Sequence, residues 1–239
     1  MSPLFVRRSC RALIAVGALS FAVGAPIAAL GASPVPTASS VIKAAQKALG
    51  QQTGVHIVVV SKSGKTTTNV VVDIGKTSGE EMITSGAKHV TITLTPFYAF
   101  VKGTPTGLTG IMGLTSAQEK IVNGRSISMK AGTTPYQSFK QSLTTPALLT
   151  FLPAVKGTTL LPVVSGSGIY RLRWSTKGTS SSPSITSVLT FTSVNAVLPK
   201  SEVITGKTGA GSTTFSNWGE TVNPATPSGG VVTYKKVFG

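Results

Sequence analysis

The chain has 239 residues and a formal charge of +16, from 22 Lys and Arg against 6 Asp and Glu. Charged residues make up only 12% of it and hydrophobic residues 41%, which excludes a disordered chain and a coiled coil. A single cysteine excludes an internal disulfide framework and a zinc site built from cysteines, and two histidines leave little for a metal or acid–base centre, so neither metal nor cofactor is expected.

Arg7, Arg8 and Arg11 form a basic lead, followed by an apolar stretch from Ala12 to about Val23, a break at Pro26 and small residues up to Ala29-Leu30-Gly31. This pattern predicts a signal peptide over residues 1–31, cleaved before Ala32. An uncleaved N-terminal anchor is the alternative, because no charge interrupts Ala12 to Ala32 and about 20 apolar residues span a bilayer. The Arg7-Arg8 pair leaves both general and twin-arginine export open. Cys10 lies before the apolar stretch, so cleavage discards it. Without the three arginines the charge is +13. A secreted, periplasmic or cell-envelope location follows, and long Thr- and Ser-rich strands without thiols suit it.

Residues 32–38 read as a lead-in and 39–239 as one domain. A helix capped by Ser39 or Ser40 is expected to run to about Gln51, with Val41, Ala44, Ala45, Ala48 and Leu49 on one side. Period-2 alternation follows: Val55–Val60, a turn at Ser63-Gly64, then Thr66–Ile74 with Val70, Val72 and Ile74 on one face. Glu80–Ser85 and Lys88–Thr95 form a second hairpin, with Val90, Ile92 and Leu94 facing one way, and Phe97–Lys102 is a short aromatic strand. Leu108–Asn123 and Pro135–Leu152 have helical spacing interrupted by Gly and Pro, with a strand at Ser126–Met129 between them. Ser116 with Glu119 reads as a capping box. Strands resume at Thr159–Leu161, Ile169–Ser175, Ile185–Thr192, Glu202–Thr205 and Gly211–Asn217, with a loop tip at Gly178–Pro183 and a terminal loop at Pro224–Gly230.

This order predicts an α+β fold: a strongly curved, mostly antiparallel β-sheet (a half-barrel) with helices covering its concave face. A sheet with one apolar face must cover it, and the inserted helical regions are the available cover. Imperfect filling beneath them would leave an apolar ligand-binding pocket. Its wall would consist of the strand residues Val70, Val72, Ile92, Leu94, Leu172 and Trp174. The helical regions would add Ile111, Met112, Leu114 and Ile121, then Tyr136, Phe139, Leu148 and Phe151. The Gly-rich run Gly103–Gly113 would let one helix move as a lid.

Three short motifs, Ser40-Val41-Ile42-Lys43, Ser193-Val194-Asn195 and Lys207-Thr208-Gly209, are similar in order to the signatures of penicillin-binding proteins and serine β-lactamases. Only twelve residues separate Asn195 from Lys207, and the chain lacks the helical portion those enzymes build around the motifs. His56 and His89 fall on polar strand faces with no nucleophile elbow nearby, Glu80 and Glu81 point to opposite faces, and Asp73 reads as a lone surface acid. A non-enzymatic protein is expected. Lysines are spread singly and aromatics are 6%, which disfavours nucleic acid. Arg171 and Arg173 make one basic stripe, suited to an anionic membrane surface or acidic envelope polymers.

The segment Phe97-Tyr98-Ala99-Phe100-Val101-Lys102-Gly103, the broken helices after it, and Phe215-Ser216-Asn217-Trp218-Gly219-Glu220-Thr221-Val222 carry a resemblance. Over about Ser39 to Pro227 the chain resembles the LppX/LprG-type actinobacterial lipoproteins, relatives of the LolA-like lipid carriers. It departs from them in lacking a cysteine at the cleavage point. The resemblance implies a half-barrel whose concave side, closed by helices, holds the acyl chains of a lipid, glycolipid, lipoglycan or lipoprotein. A monomer is expected, and a structural envelope module using a basic face is the alternative. Exported from its host, the mature chain is expected to begin at Ala32 on N-terminal sequencing; a chain starting at Met1 would mark the anchor instead.

Overall fold

The structure, a computed structural model, describes residues 36–163, 168–178, 184–192, 196–207 and 209–239. The expected leader 1–31 lies outside them, as do Ser193-Val194-Asn195, Thr208 and most of the Gly178–Pro183 segment expected as a loop tip.

Helix α1 (Ala38–Leu49) opens the described chain. Its N-cap is Thr37, one turn earlier than Ser40: the Thr37 hydroxyl accepts from the Ser40 amide at 3.1 Å while the Ser40 hydroxyl accepts from the Thr37 amide at 2.9 Å. The buried residues are Val41, Ile42, Ala45 and Leu49. Ile42 therefore takes the place expected for Ala44, which is exposed, because the larger side chain gains more from burial.

Twelve strands among the described residues form one open sheet. They are β1 (Gly54–Ser63), β2 (Thr66–Gly75), β3 (Gly79–Ser85), β4 (Lys88–Leu94), β5 (Tyr98–Gly103), β6 (Ser126–Lys130), β7 (Thr158–Leu160), β8 (Ile169–Thr176), β9 (Ile185–Thr192), β10 (Leu198–Gly206), β11 (Gly209–Ser216) and β12 (Val231–Thr233). The order is β12-β6-β5-β4-β3-β2-β1-β11-β10-β9-β8-β7. Two antiparallel meanders thus meet where β11 returns to β1, pairing Ile57 with Phe215. Only β12 breaks the pattern, running parallel to β6. The sheet is curved and unclosed, as the alternation predicts.

The cover is made of short pieces. Helices α2 (Pro105–Gly110) and α3 (Ser116–Val122) leave the sheet after β5. Helix α4 (Thr134–Leu143) and a 3₁₀ helix (Thr145–Phe151) follow β6. Thr115, not Ser116, caps α3, because Gln118 rather than Glu119 stands at the third position and closes the box. The inserted regions do not act alone: α1 covers the β10–β11 half, a role its apolar side allows and the sequence reading did not assign. The terminal loop is followed by β12 and helix α5 (Tyr234–Phe238), whose Val232 and Val237 sit in the core.

Within the Gly103–Gly113 run, Gly107 packs tightly. A Cβ on Gly107 would collide with the His89 backbone, so the residue exists to seat α2 directly on β4. Gly107→Ala is expected to cost about 2 kcal/mol, read as a lower denaturant midpoint with an unchanged slope. An unchanged midpoint would mean the helix yields freely, as a lid would.

Candidate functional site

Alternation along each strand sends one set of side chains to the concave face, where they form two apolar clusters. The first joins Val90, Ile92, Leu94, Ala99 and Val101 of the sheet to Leu108 and Leu114 near α2, Val122 of α3, and Tyr136, Phe139 and Leu143 of α4. The second joins Val55, Ile57, Ile74, Leu172, Leu189, Phe191 and Phe215 to α1 and Leu148 of the 3₁₀ helix. Val72 packs against both, so the concave wall is continuous.

The structure places the sequence-derived wall residues along this interior. Ile92, Leu94, Leu114, Tyr136 and Phe139 are buried in the first cluster, with Ile111, Met112 and Ile121 half-buried against it. Leu148 and Leu172 are buried in the second, with Phe151 and Trp174 half-buried against it. Val70 is buried on the same face, opposite Ile83. Sequence reasoning missed α1, Phe191 and Phe215 as wall. Phe215 anchors an aromatic row, edge-on to Phe151 at 5.2 Å and stacked on Trp218 at 6.0 Å. The available signal was the inward register of Phe191 and Phe215 within their strands.

The cover is not uniformly secured. Tyr136 of α4 donates its hydroxyl to the carbonyls of Thr95 and Pro96, at 3.0 and 2.9 Å. Neither α4 nor the 3₁₀ helix has a side-chain cap, but on the 3₁₀ helix Leu149 stands 48% exposed beside buried Leu148. Hydrogen-bond geometry in a 3₁₀ helix is poorer than in an α-helix, so this piece is the least held part of the cover.

Polar groups mark three places. In the first half, Glu81 is half-buried and stands by register on the same face as Val72 and Ile92. Inside the second half, Glu202 is only 8% exposed and lies on the concave face between Leu189 and Thr213. Burial raises its carboxyl above the ordinary value of 4.5, and a hydrogen bond with Ser187 opposes that rise. At the outer face of β1–β2, His56 Nδ1 and Asp73 Oδ1 lie 2.6 Å apart. This corrects the reading of Asp73 as a lone acid and of His56 as merely solvated: the register sets the two opposite each other across the strands. Glu220 brings a carboxylate oxygen within 4.8 Å of both, and its Oε1 is buried with no partner. These three could meet a cation, but His56 Nδ1 is already held by Asp73.

Glu220 arrives on a strap, residues 217–223, that crosses the end of the β1–β2 hairpin. Thr53 donates to the Gly219 carbonyl at 2.6 Å, Ser78 to the Val222 carbonyl at 2.6 Å, and Trp218 Nε1 to the Pro199 carbonyl at 3.0 Å. A side chain on Gly54 would strike the Glu220 carbonyl, so the strap lies directly on the strand. Ser40, the first residue of the serine-enzyme pattern, is occupied in the α1 cap and donates to the Thr37 carbonyl at 2.9 Å. Gly157, Thr159, Arg173, Trp174, Ser175 and Thr186 line an open cleft of about 310 Å³ at β7–β9, polar in character and distinct from the apolar interior.

These features define a class: an open, curved antiparallel sheet whose apolar concave face is closed by short helices. No known family profile matches the chain, and no curated protein does. Among solved structures it is similar to the lipoprotein LppX of Mycobacterium tuberculosis, at 14% identity over 78% of this chain and 97% of that one, with a TM-score of 0.47. It is also similar to LprF of Mycobacterium bovis, at 14% identity over 80% and 97%, with a TM-score of 0.46. The first of these bears one of the names of the family that the chain's segments resemble. At such identity and TM-scores the likeness says nothing of ligand or partner. Among the described residues no helix is long and apolar enough to cross a membrane.

A folded-state pKa raised above the unfolded value means that the folded protein holds the proton more tightly. Stability from Glu202 is therefore complete below about pH 4.5 and is lost as pH rises through the raised value. Glu202→Gln keeps a hydrogen-bonding group within reach of Ser187 and removes this dependence. Its unfolding midpoint, compared with wild type between pH 4 and 8, is expected to gain as pH rises; a constant difference would refute the assignment.

Proposed function

We propose that the chain is an exported, non-enzymatic carrier that holds the acyl chains of a lipid, glycolipid or lipoprotein against the concave face of its sheet. The observation that supports this most is the cover: a continuous apolar wall closed by short helical pieces, the least secured being the 3₁₀ helix with Leu149 exposed. The centre of the wall is closed to solvent, with Val55, Ile57, Leu94, Ala99, Leu189 and Phe191 at 0% exposure. On this reading cargo enters by exchanging with the cover.

The energetics of that exchange are balanced. A sixteen-carbon chain gains on the order of 10 kcal/mol at about 0.8 kcal/mol per buried CH₂. Lifting a few core side chains costs roughly 1.5–3 kcal/mol each, so displacing the 3₁₀ helix with Leu148 and Phe151 is within reach of one acyl tail. Acyl chains require no charged partner, which agrees with a wall built almost wholly of aliphatic and aromatic groups. Half-buried Met112 and Ile111 give the first cluster an adaptable border.

Gently purified from a native-like host, the chain is expected to carry a mass excess in native mass spectrometry and to enhance the fluorescence of cis-parinaric acid. A protein of bare sequence mass that leaves the probe's fluorescence unchanged would overturn the proposal.

A further inference from the structure

The turn between β4 and β5 presents an aromatic side chain to solvent and holds it there. Phe97 is 72% exposed and Tyr98 42%. The backbone of the turn that carries Phe97 is tied on several sides. The Thr95 amide donates to the Tyr98 carbonyl at 2.8 Å, the Thr95 hydroxyl donates to the same carbonyl at 2.9 Å, and the Tyr98 amide donates to that hydroxyl at 3.0 Å. The Ala131 amide holds the Phe97 carbonyl at 2.8 Å, and Tyr136 holds the two residues before it from below. Phe97 and Tyr98 stand exposed side by side on this held turn, and a contiguous exposed apolar patch marks a surface that meets something apolar.

The surroundings say what. Tyr98, Phe100 and Lys102 follow at period two on the outer face of β5, the two rings 5.9 Å apart. Lys130 stands opposite Tyr98 across the β5–β6 pair. No acid occurs in residues 97–106, 125–136 or 231–239, which make this edge of the sheet, whereas Lys102, Arg125, Lys130, Lys235 and Lys236 do. The nearest acids by packing are Glu80, two strands inward and accepting from Thr93 at 3.1 Å, and Glu119 on α3, which packs against α5. Aromatic rings at a tip with lysines around them match the boundary between anionic headgroups and acyl chains. An acidic polymer offers the charge without an apolar layer for Phe97.

We infer that the β4–β5 turn is a membrane-docking tip, with Phe97 entering the headgroup–acyl boundary of an anionic bilayer and Tyr98, Lys102 and Lys130 holding the outer face of β5–β6 against it. This goes beyond the carrier reading and needs no cargo.

The test is co-sedimentation of the full chain with vesicles of phosphatidylglycerol and phosphatidylcholine, or of phosphatidylcholine alone. The wild type is expected to pellet with the anionic vesicles only. Phe97→Ala should raise the lipid concentration for half-binding about tenfold, with an unchanged unfolding midpoint because the ring touches no core. Lys102→Gln with Lys130→Gln should weaken binding several-fold and flatten its dependence on salt. The inference is overturned by any of four results: no vesicle binding, Phe97→Ala binding like wild type, equal binding to neutral vesicles, or a wild-type dimer without lipid that Phe97→Ala dissociates. Native mass spectra of the same preparations separate the two proposals. Retained lipid without docking removes the tip alone, and docking without retained lipid removes the carrier alone.

Discussion

An open sheet with one apolar face must hide that face, and here it must do so without a second sheet. Everything else in the fold answers to this. The chain leaves the sheet twice in mid-course, after β5 and after β6, to lay short helices across the concavity, and α1 completes the cover from the other side. Because each helix is short, propensity alone does not hold it, and tertiary contact must. That is the reason for Gly107, which lets α2 touch the β4 backbone, and for the Tyr136 hydroxyl beneath the β4–β5 turn. The 3₁₀ helix has neither device, which makes it the natural place for the interior to open.

The same constraint explains how the polar groups are distributed. Acids are few, and the structure uses them at seams. Asp73 pairs with His56 on the outer face where β1 and β2 meet, Glu220 reaches the same place from the strap, and Glu202 sits inside on β10, between β9 and β11. A buried carboxyl beside Ser187 and Thr213 is the one acidic spot on the second half of the concave wall, and burial favours its neutral form. An apolar cargo lying there would meet an uncharged hydrogen-bonding group, not an ion, so the acid does not forbid the proposed use of the wall.

Much of the sheet was legible because strand alternation and the turns Ser63-Gly64 and Gly86 set the register locally. From that register the inward faces of β2, β4 and β8 could be read, and with them Val70, Val72, Ile92, Leu94, Leu172 and Trp174. What escaped was long-range. Nothing local in Val231-Val232-Thr233 announces a parallel partner in β6, about a hundred residues earlier. His56 and Asp73 read as separate surface groups until the β1–β2 pairing is fixed to the residue, since a shift of one would part them. In the Gly-rich run glycine signals close approach as readily as freedom, and at Gly107 the packed partner, His89, shows the close approach. The cap of α3 moved by one residue because Thr115-Ser116 offers two hydroxyls and the choice falls to Gln118.

The two borders of the sheet are β12 and β7, each three residues long. A wide sheet that does not close is in principle a polymerisable object: a border strand of one molecule can add to the border of the next, and since the two borders differ, such head-to-tail addition need never end. Three residues give such a junction few free amides and carbonyls, and at one border the covering helix α5 follows directly. Shortness at the rims thus limits what either border of so broad an open sheet can offer to another strand.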